Sequence, residues 1–226
     1  MSSPRVSVVV PVLNGERYLG AALESIASQG CEGLETIVVD DGSVDRSAKI
    51  AWTRGARVIR GPWRGVAAAR NRGIAAARGE LIAFLDADDL WTEGSLALRL
   101  AALDSDPELD FVYGIMRGFP DPDRPPPAWI PRRHNSDEGG LLSSFVVRRA
   151  ACARVGEFDE SLMIGEDLDW ICRLQDSGSR GRQLDKVIYL QRLHDASTMV
   201  RNVDRGREAL KAVLWRSIER KRAASR

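Results

Sequence analysis

Apolar positions in this chain come in two periods, and the alternation between them outlines the fold. Ser7-Val8-Val9-Val10-Pro11-Val12 is a β-branched block ending at the turn-forming Asn14-Gly15, the pattern of a strand buried on both faces. Tyr18, Leu19, Ala22, Leu23 and Ile26 then recur at helical spacing until Gln29-Gly30 stops them. Thr36 to Val39 predicts a second strand. Ser43 predicts the cap of a helix over about 44–53, and Arg57 to Arg60 a brief third strand ahead of Gly61-Pro62. A small-residue helix over about 66–77 and the apolar block Leu81 to Leu85 complete a strand-and-helix alternation. That alternation calls for a parallel sheet with helices on both faces.

Past Asp89 the pattern loosens. It predicts a helix over about 93–103, a strand at Phe111 to Tyr113, a strand at Ser144 to Val147, helices over about 149–155 and 167–175, and a last strand from Lys186 to Leu193. Pro120 to Pro127, with five prolines, predicts neither helix nor central strand. A final helix over about 205–222 places Ala209, Leu210, Val213, Leu214 and Ile218 on one stripe, expected to pack on the domain.

Composition narrows the class. At 226 residues, 44% hydrophobic and 29% charged, the chain reads as one ordinary globular domain. Its net charge of +1 gives no field of the kind that binds nucleic acid. The sum hides a division, because Arg201 to Arg226 carries nine basic and three acidic residues and leaves the preceding residues at −5. Cys31, Cys152 and Cys172 are too scattered for a zinc site or a disulfide framework. No apolar run approaches the roughly 20 residues that span a bilayer, and Met1 to Arg5 lack a signal-peptide pattern, so a cytoplasmic protein is expected.

In an open parallel sheet, ligands bind outside the carboxyl ends of the strands. Here those ends carry Pro11 and Asn14, then Asp40-Asp41-Gly42-Ser43, then Asp86-Ala87-Asp88-Asp89. Five carboxylates on one rim need a counter-charge or a hydrogen-bond donor, since like charges within roughly 4–6 Å raise one another's pKa. Asp86-x-Asp88 directly after an apolar strand could share a hard cation, Mg2+ or Mn2+, that bridges a diphosphate. A tripeptide of this kind also occurs as a plain helix-capping turn. Asp40-Asp41 nearby and Arg70 on the intervening helix favour the nucleotide and metal reading.

Val8 to Gly15, Val38 to Asp45, Ala69-Arg70-Asn71-Arg72-Gly73 and Phe84 to Asp89, in this order and spacing, resemble glycosyltransferase family 2. Val155 to Leu162, Gly165 to Trp170 and Arg192-Leu193-His194 extend the resemblance to about residues 5–200. It implies an α/β A-type glycosyltransferase (GT-A) fold in a single domain over 1–226. A Rossmann-like nucleotide-sugar half would occupy about 5–115, with a mainly parallel central sheet flanked by helices. A smaller acceptor half would occupy about 116–200, with the basic amphipathic helix over 201–226. It implies transfer of one sugar from a nucleotide-sugar, usually of UDP, with inversion at the anomeric carbon.

By the same resemblance, Pro11 and Asn14 lie beside base and ribose, Asp40 meets the uracil imide, and Arg70 sits near base or diphosphate. Asp86 touches ribose, Asp41 and Ala87 line the donor site, and Asp88 with His194 holds Mn2+ or Mg2+. Asp167 is the catalytic base with Glu166 beside it, although an acidic pair at a helix start also serves as a cap. Asp169 is a rival base that should point elsewhere. Trp170 could fill the core or stack on a sugar, Trp63 and Trp129 could shape the donor or acceptor site, and His134 is a lesser candidate than His194 for metal or diphosphate.

No Q-x-x-R-W motif accompanies these, which argues against a processive synthase. The acceptor would be a sugar, a lipid-linked group or a small molecule. The basic helix could touch anionic lipid at the membrane's inner face or pair with a second copy. Two alternatives remain: a sugar-1-phosphate nucleotidyltransferase, whose Gly-rich basic loop after the first strand is absent here, and a non-catalytic sugar-nucleotide-binding protein.

Overall fold

The computed structural model describes residues 3–125, 138–195 and 203–224. Elements run in the order β1 (Val6–Val12), α1 (Leu19–Ala27), β2 (Leu34–Asp40), α2 (Ser47–Thr53), β3 (Arg57–Arg60), α3 (Val66–Ala76), β4 (Leu81–Phe84), β5 (Leu90–Trp91), α4 (Ser95–Ser105) and β6 (Phe111–Pro120). Then follow β7 (Glu138–Gly139), a 3-10 turn (Leu142–Ser144), β8 (Val146–Arg148), α5 (Arg149–Val155), α6 (Glu166–Asp176), β9 (Gly181–Leu193) and α7 (Val203–Ala224).

The described strands form one sheet in the order β3-β2-β1-β4-β8-β6-β9-β5, with β7 on β6. β3, β2, β1 and β4 are mutually parallel, as the alternation with helices requires; β8 turns antiparallel to β4 and to β6, which itself runs parallel to β9. The sheet is continuous from one half to the other, and β6 crosses residue 115 unbroken.

Period-two alternation distributes β1 between two cores. Val8, Val10 and Val12 face α1 and α4 with Leu19, Leu23, Leu96 and Leu100, whereas Val9 faces the opposite side with Ile37, Ile82, Phe84, Phe158 and Trp170. Gly73 lets α3 lie close over β1, because a Cβ there would stand 2.3 Å from a Val9 methyl. Glu35 is a buried carboxylate in β2, held by Ser7 Oγ at 2.5 Å and by the Arg78 backbone and guanidinium.

Several boundaries differ from the sequence reading. Ser43 caps no helix: α2 begins at Ser47, where the Asp45 carboxylate accepts the Ser47 N–H at 2.9 Å. Ser43 Oγ instead accepts the Asn14 N–H at 2.9 Å, tying the ends of β1 and β2 together. β6 runs well past Tyr113, through a register shift at Gly114, to Pro120. Pro120 closes β6 opposite Leu193, a strand-end position where its missing N–H is tolerated. The final strand likewise begins at Gly181, five residues before Lys186. On α7, Val213 and Ser217 are buried while Leu210, Leu214 and Ile218 are not, so the expected apolar stripe is only partly covered. All three cysteines are free thiols.

Candidate active site

The rim at the carboxyl ends of β1, β2 and β4 does gather its carboxylates, and three arginines meet them. Ala69-Arg70-Asn71-Arg72-Gly73 sends four consecutive residues to four destinations. Arg70 enters the site, Asn71 exchanges hydrogen bonds with the Phe158 backbone at 2.8 and 3.0 Å, Arg72 pairs with Asp41, and Gly73 lies on Val9. A helix distributes neighbours around its axis at about 100° steps, which is why one short motif can join three parts of the site.

Arg70 is buried and bridges Glu166, Nη1 to Oε1 at 2.5 Å, and Asp86, Nη2 to Oδ1 at 2.8 Å. Burial works against its charge, but the carboxylates of Asp86, Glu166 and Asp167 outweigh that and hold its pKa above the ordinary value. Burial pushes the Glu166 carboxyl up, Arg70 draws it back and Asp167 adds to the rise, leaving it raised. Gly165, at φ +81°, turns the chain into α6, so Glu166 and Asp167 open the helix. Glu166 faces inward to Arg70. Asp167 is half-buried, its Oδ1 accepting the Leu168 N–H at 2.8 Å, and Oδ2 has no hydrogen-bond partner among the described residues.

Asp40 is fully buried: Oδ1 accepts the Ser43 N–H at 2.7 Å and Oδ2 accepts Arg60 Nε at 3.1 Å. Asp41 accepts the N–H groups of Arg64 and Gly65 at the start of α3. Asn14, at φ +53°, accepts the Val44 N–H at 2.9 Å, while Pro11 lies within β1 beside Val39 and Ala87 packs next to the core.

Asp86 and Asp88 diverge, since β4 ends at Phe84 and side-chain alternation no longer governs the turn that follows. Asp86 turns to Arg70, and Asp88 Oδ2 lies 3.0 Å from His194 Nε2. Asp89 is buried, accepts the Arg192 N–H at 2.9 Å, and is pushed well up by burial and by Asp88 and Asp86.

Among the described residues no group of three or more His, Cys, Asp or Glu is placed to hold a metal ion. Asp88 and His194 nevertheless fit a shared divalent cation. Asp88 Oδ2 and His194 Nε2, a carboxylate and an imidazole of the kind such a cation takes as ligands, converge at 3.0 Å.

Behind that pair lies a stack absent from the sequence reading. The Tyr18 ring is 5.0 Å from the His194 ring, and the Arg192 guanidinium sits 4.8 Å from Tyr18 and 4.6 Å from Phe119 while Nε donates to the Asp88 carbonyl at 3.0 Å. The two-residue spacing of Arg192, in β9, and His194, just past its end, was the available signal. Arg60, at the end of β3, was legible by the same strand-end rule applied to Asp40. Trp170 is fully buried, stacked on Phe158 at 5.0 Å with Nε1 donating to the Gly156 carbonyl, so it is core. Asp169 is turned to Arg173 at 2.8 Å, away from the rim. Trp63 is exposed, and Trp129 and His134 lie outside the described residues.

The sequence model described as "Glycosyl transferase family 2" matches residues 7–158. EpsH of Bacillus subtilis, a candidate glycosyltransferase, is 45% identical over 98 residues, 41% of this chain and 28% of that protein. The chain spans less than half the length of the curated relatives it matches. S. aureus TarS 1-349 in complex with UDP-GlcNAc superposes with a TM-score of 0.73 at 22% identity, covering 92% of this chain and 65% of that one. Mannosyltransferase PcManGT from Pyrobaculum calidifontis, in complex with GDP-Man and Mn2+, gives 0.71 at 21%, covering 97% and 65%. At these identities the two structures speak for the A-type glycosyltransferase fold alone.

Proposed function

Because the chain belongs to glycosyl transferase family 2, we propose that it moves a single sugar from a UDP-sugar to an acceptor hydroxyl with inversion, using Asp167 as general base. The observation that carries this reading is the division of labour in Glu166-Asp167. Arg70 occupies Glu166, while the adjacent Asp167 keeps one carboxylate oxygen without a hydrogen bond among the described residues on the same rim. In the reaction the acceptor oxygen bonds to the anomeric carbon from the face opposite the leaving group, its proton passes to Asp167, and the bond from that carbon to the diphosphate oxygen breaks. On this reading Asp86, held by Arg70, meets the ribose, and Asp40, held by the Ser43 N–H and by Arg60, meets the base. Asp88 and His194 would hold Mn2+ or Mg2+, which supplies charge to offset the departing diphosphate. UDP-bound and GDP-mannose-bound relatives of the same fold support a nucleotide-sugar donor.

The test is UDP release from a panel of UDP-sugars with Mn2+. Transfer or slow donor hydrolysis, lost in Asp167→Asn, is expected. Pyrophosphate formed from UTP and a sugar phosphate, or UDP binding with no turnover on any donor, would overturn the reading.

A further inference from the structure

We infer that the outward face of α7 docks on an anionic membrane surface. Among the described residues one side of the helix is fixed to the body. Val213 and Ser217 are buried, the Cβ of Ala209 lies 3.4 Å from where a Cβ on Gly165 would stand, and Arg220 reaches Asp169 at 3.7 Å and Asp176 at 2.9 Å. With that side committed, Leu210, Leu214 and Ile218, each four residues from the next, form a row facing solvent at 44%, 47% and 44% exposure. Trp215 lies beside the row at 58% exposure, its Nε1 donating to Glu219. Lys211 and Arg222 fall on the same arc of the helix by its 100° step, with Lys211 also pairing with Glu208 at 2.7 Å, whereas Lys221 reaches back to Asp176 of the body at 3.4 Å.

A row of apolar side chains on a long helix costs free energy in water, and a rim of cations removes the option of burying it in an ordinary protein core. An anionic bilayer satisfies both groups at once. The row enters the headgroup boundary while the lysine and arginine stems extend along it and keep their charges at the phosphates. Of the basic residues behind the surplus of six from Arg201 to Arg226, Arg216, Arg220 and Lys221 pair with carboxylates of the body, and Lys211 and Arg222 on the outward arc supply the complementary charge. A second copy packed on the same face would bring these cations against their own counterparts, which like-charge repulsion opposes. Gly165 touches α7 and is followed by Glu166 and Asp167, so a docked α7 would carry the proposed base beside a membrane-borne acceptor. The docking itself does not depend on the sugar-transfer reading.

Flotation of the full chain with two kinds of vesicle tests this: phosphatidylcholine alone, and phosphatidylcholine mixed with phosphatidylglycerol. Expected is partitioning to the anionic vesicles that weakens with added salt, and a fall of about tenfold or more in the double variant Leu214→Asp, Ile218→Asp. Both side chains are exposed, so the variant should keep its circular dichroism and its vesicle-free UDP release. No partitioning to anionic vesicles at low salt, equal partitioning to neutral ones, or undiminished binding by the double variant would each overturn the inference. A concentration-dependent dimer dissolved by the same two substitutions would assign the face to a second copy and overturn it as well.

Discussion

Replacing Arg70 by Met removes the charge that lets two carboxylates share a buried corner, while keeping side-chain length over the Phe158 ring, 5.7 Å from the guanidinium. A charge separation of about 4 Å at an effective dielectric near 20 gives about 4 kcal/mol of attraction for each partner, gross, before the cost of burying the guanidinium. Asp86 is nearly half exposed and water can relieve it, so the loss concentrates on Glu166, whose side chain is 8% exposed. Removing one partner of such a pair costs about 3–5 kcal/mol, because the remaining charge is left uncompensated. The relief at Asp86 places the expectation at about 3 kcal/mol, and at roughly 2–4 °C per kcal/mol for a chain of this size Tm should fall by about 6–12 °C. Thermal unfolding of the parent, Arg70→Met, Glu166→Gln and the double variant gives the coupling directly. The double variant should recover about 0.5–3 kcal/mol relative to additive losses. Added salt should change the loss little, since a buried pair is weakly screened. A Tm fall under about 2 °C, or additive losses, would show that Arg70 does not balance Glu166.

Asp167→Asn should lower turnover by about 10²–10⁴-fold with UDP affinity unchanged, whereas Glu166→Gln should act first on thermal stability; equal effects of both on turnover alone would undo their separation. Tyr18→Leu should weaken Mn2+ binding, read by electron paramagnetic resonance in the presence of UDP, by about tenfold without altering metal-free UDP affinity, and His194→Ala should weaken it further. Gly73→Ala should destabilise by about 1–3 kcal/mol in urea unfolding, and Val9→Ala in the same chain should recover part of that loss. Burial works to raise the Asp176 carboxyl, but Ser217, Arg220 and Lys221 donate to it and hold it below the usual range. A lowered carboxyl stabilises fully above its unfolded pKa and loses that contribution as pH falls through the native one. Docking of α7 should therefore weaken below about pH 4, and Asp176→Asn should flatten that step in a pH series of proteolysis at α7.

The parallel half of the fold was legible because its strands are buried on both faces. Val8 to Val12 and Leu81 to Phe84 have no polar alternative, and sequence blocks of that kind permit few other structures. β6 and β9 were read too short because Gly114 and the polar run from Arg182 to Lys186 break the local pattern, yet pairing between the two strands carries both through. The rim residues were named from strand ends, but their partners were not. That Asp41 serves α3, that Asp86 and Asp88 part company, and that Tyr18 and Arg192 stand behind His194 depend on contacts between segments far apart in the chain.

By itself, the sequence determined the alternation of strands and helices from β1 to β4 and placed an acidic rim where parallel strands end, since both follow from periods of two and 3.6 and from turn residues acting locally; the short β5 and β7 were not in its pattern. Tertiary structure alone decided which carboxylate of Glu166-Asp167 is held and which side of α7 is covered. Both outcomes turn on where a distant arginine lands, Arg70 on Glu166 and Arg220 between Asp169 and Asp176, and a side chain's partner across the fold is set by packing that no local pattern encodes.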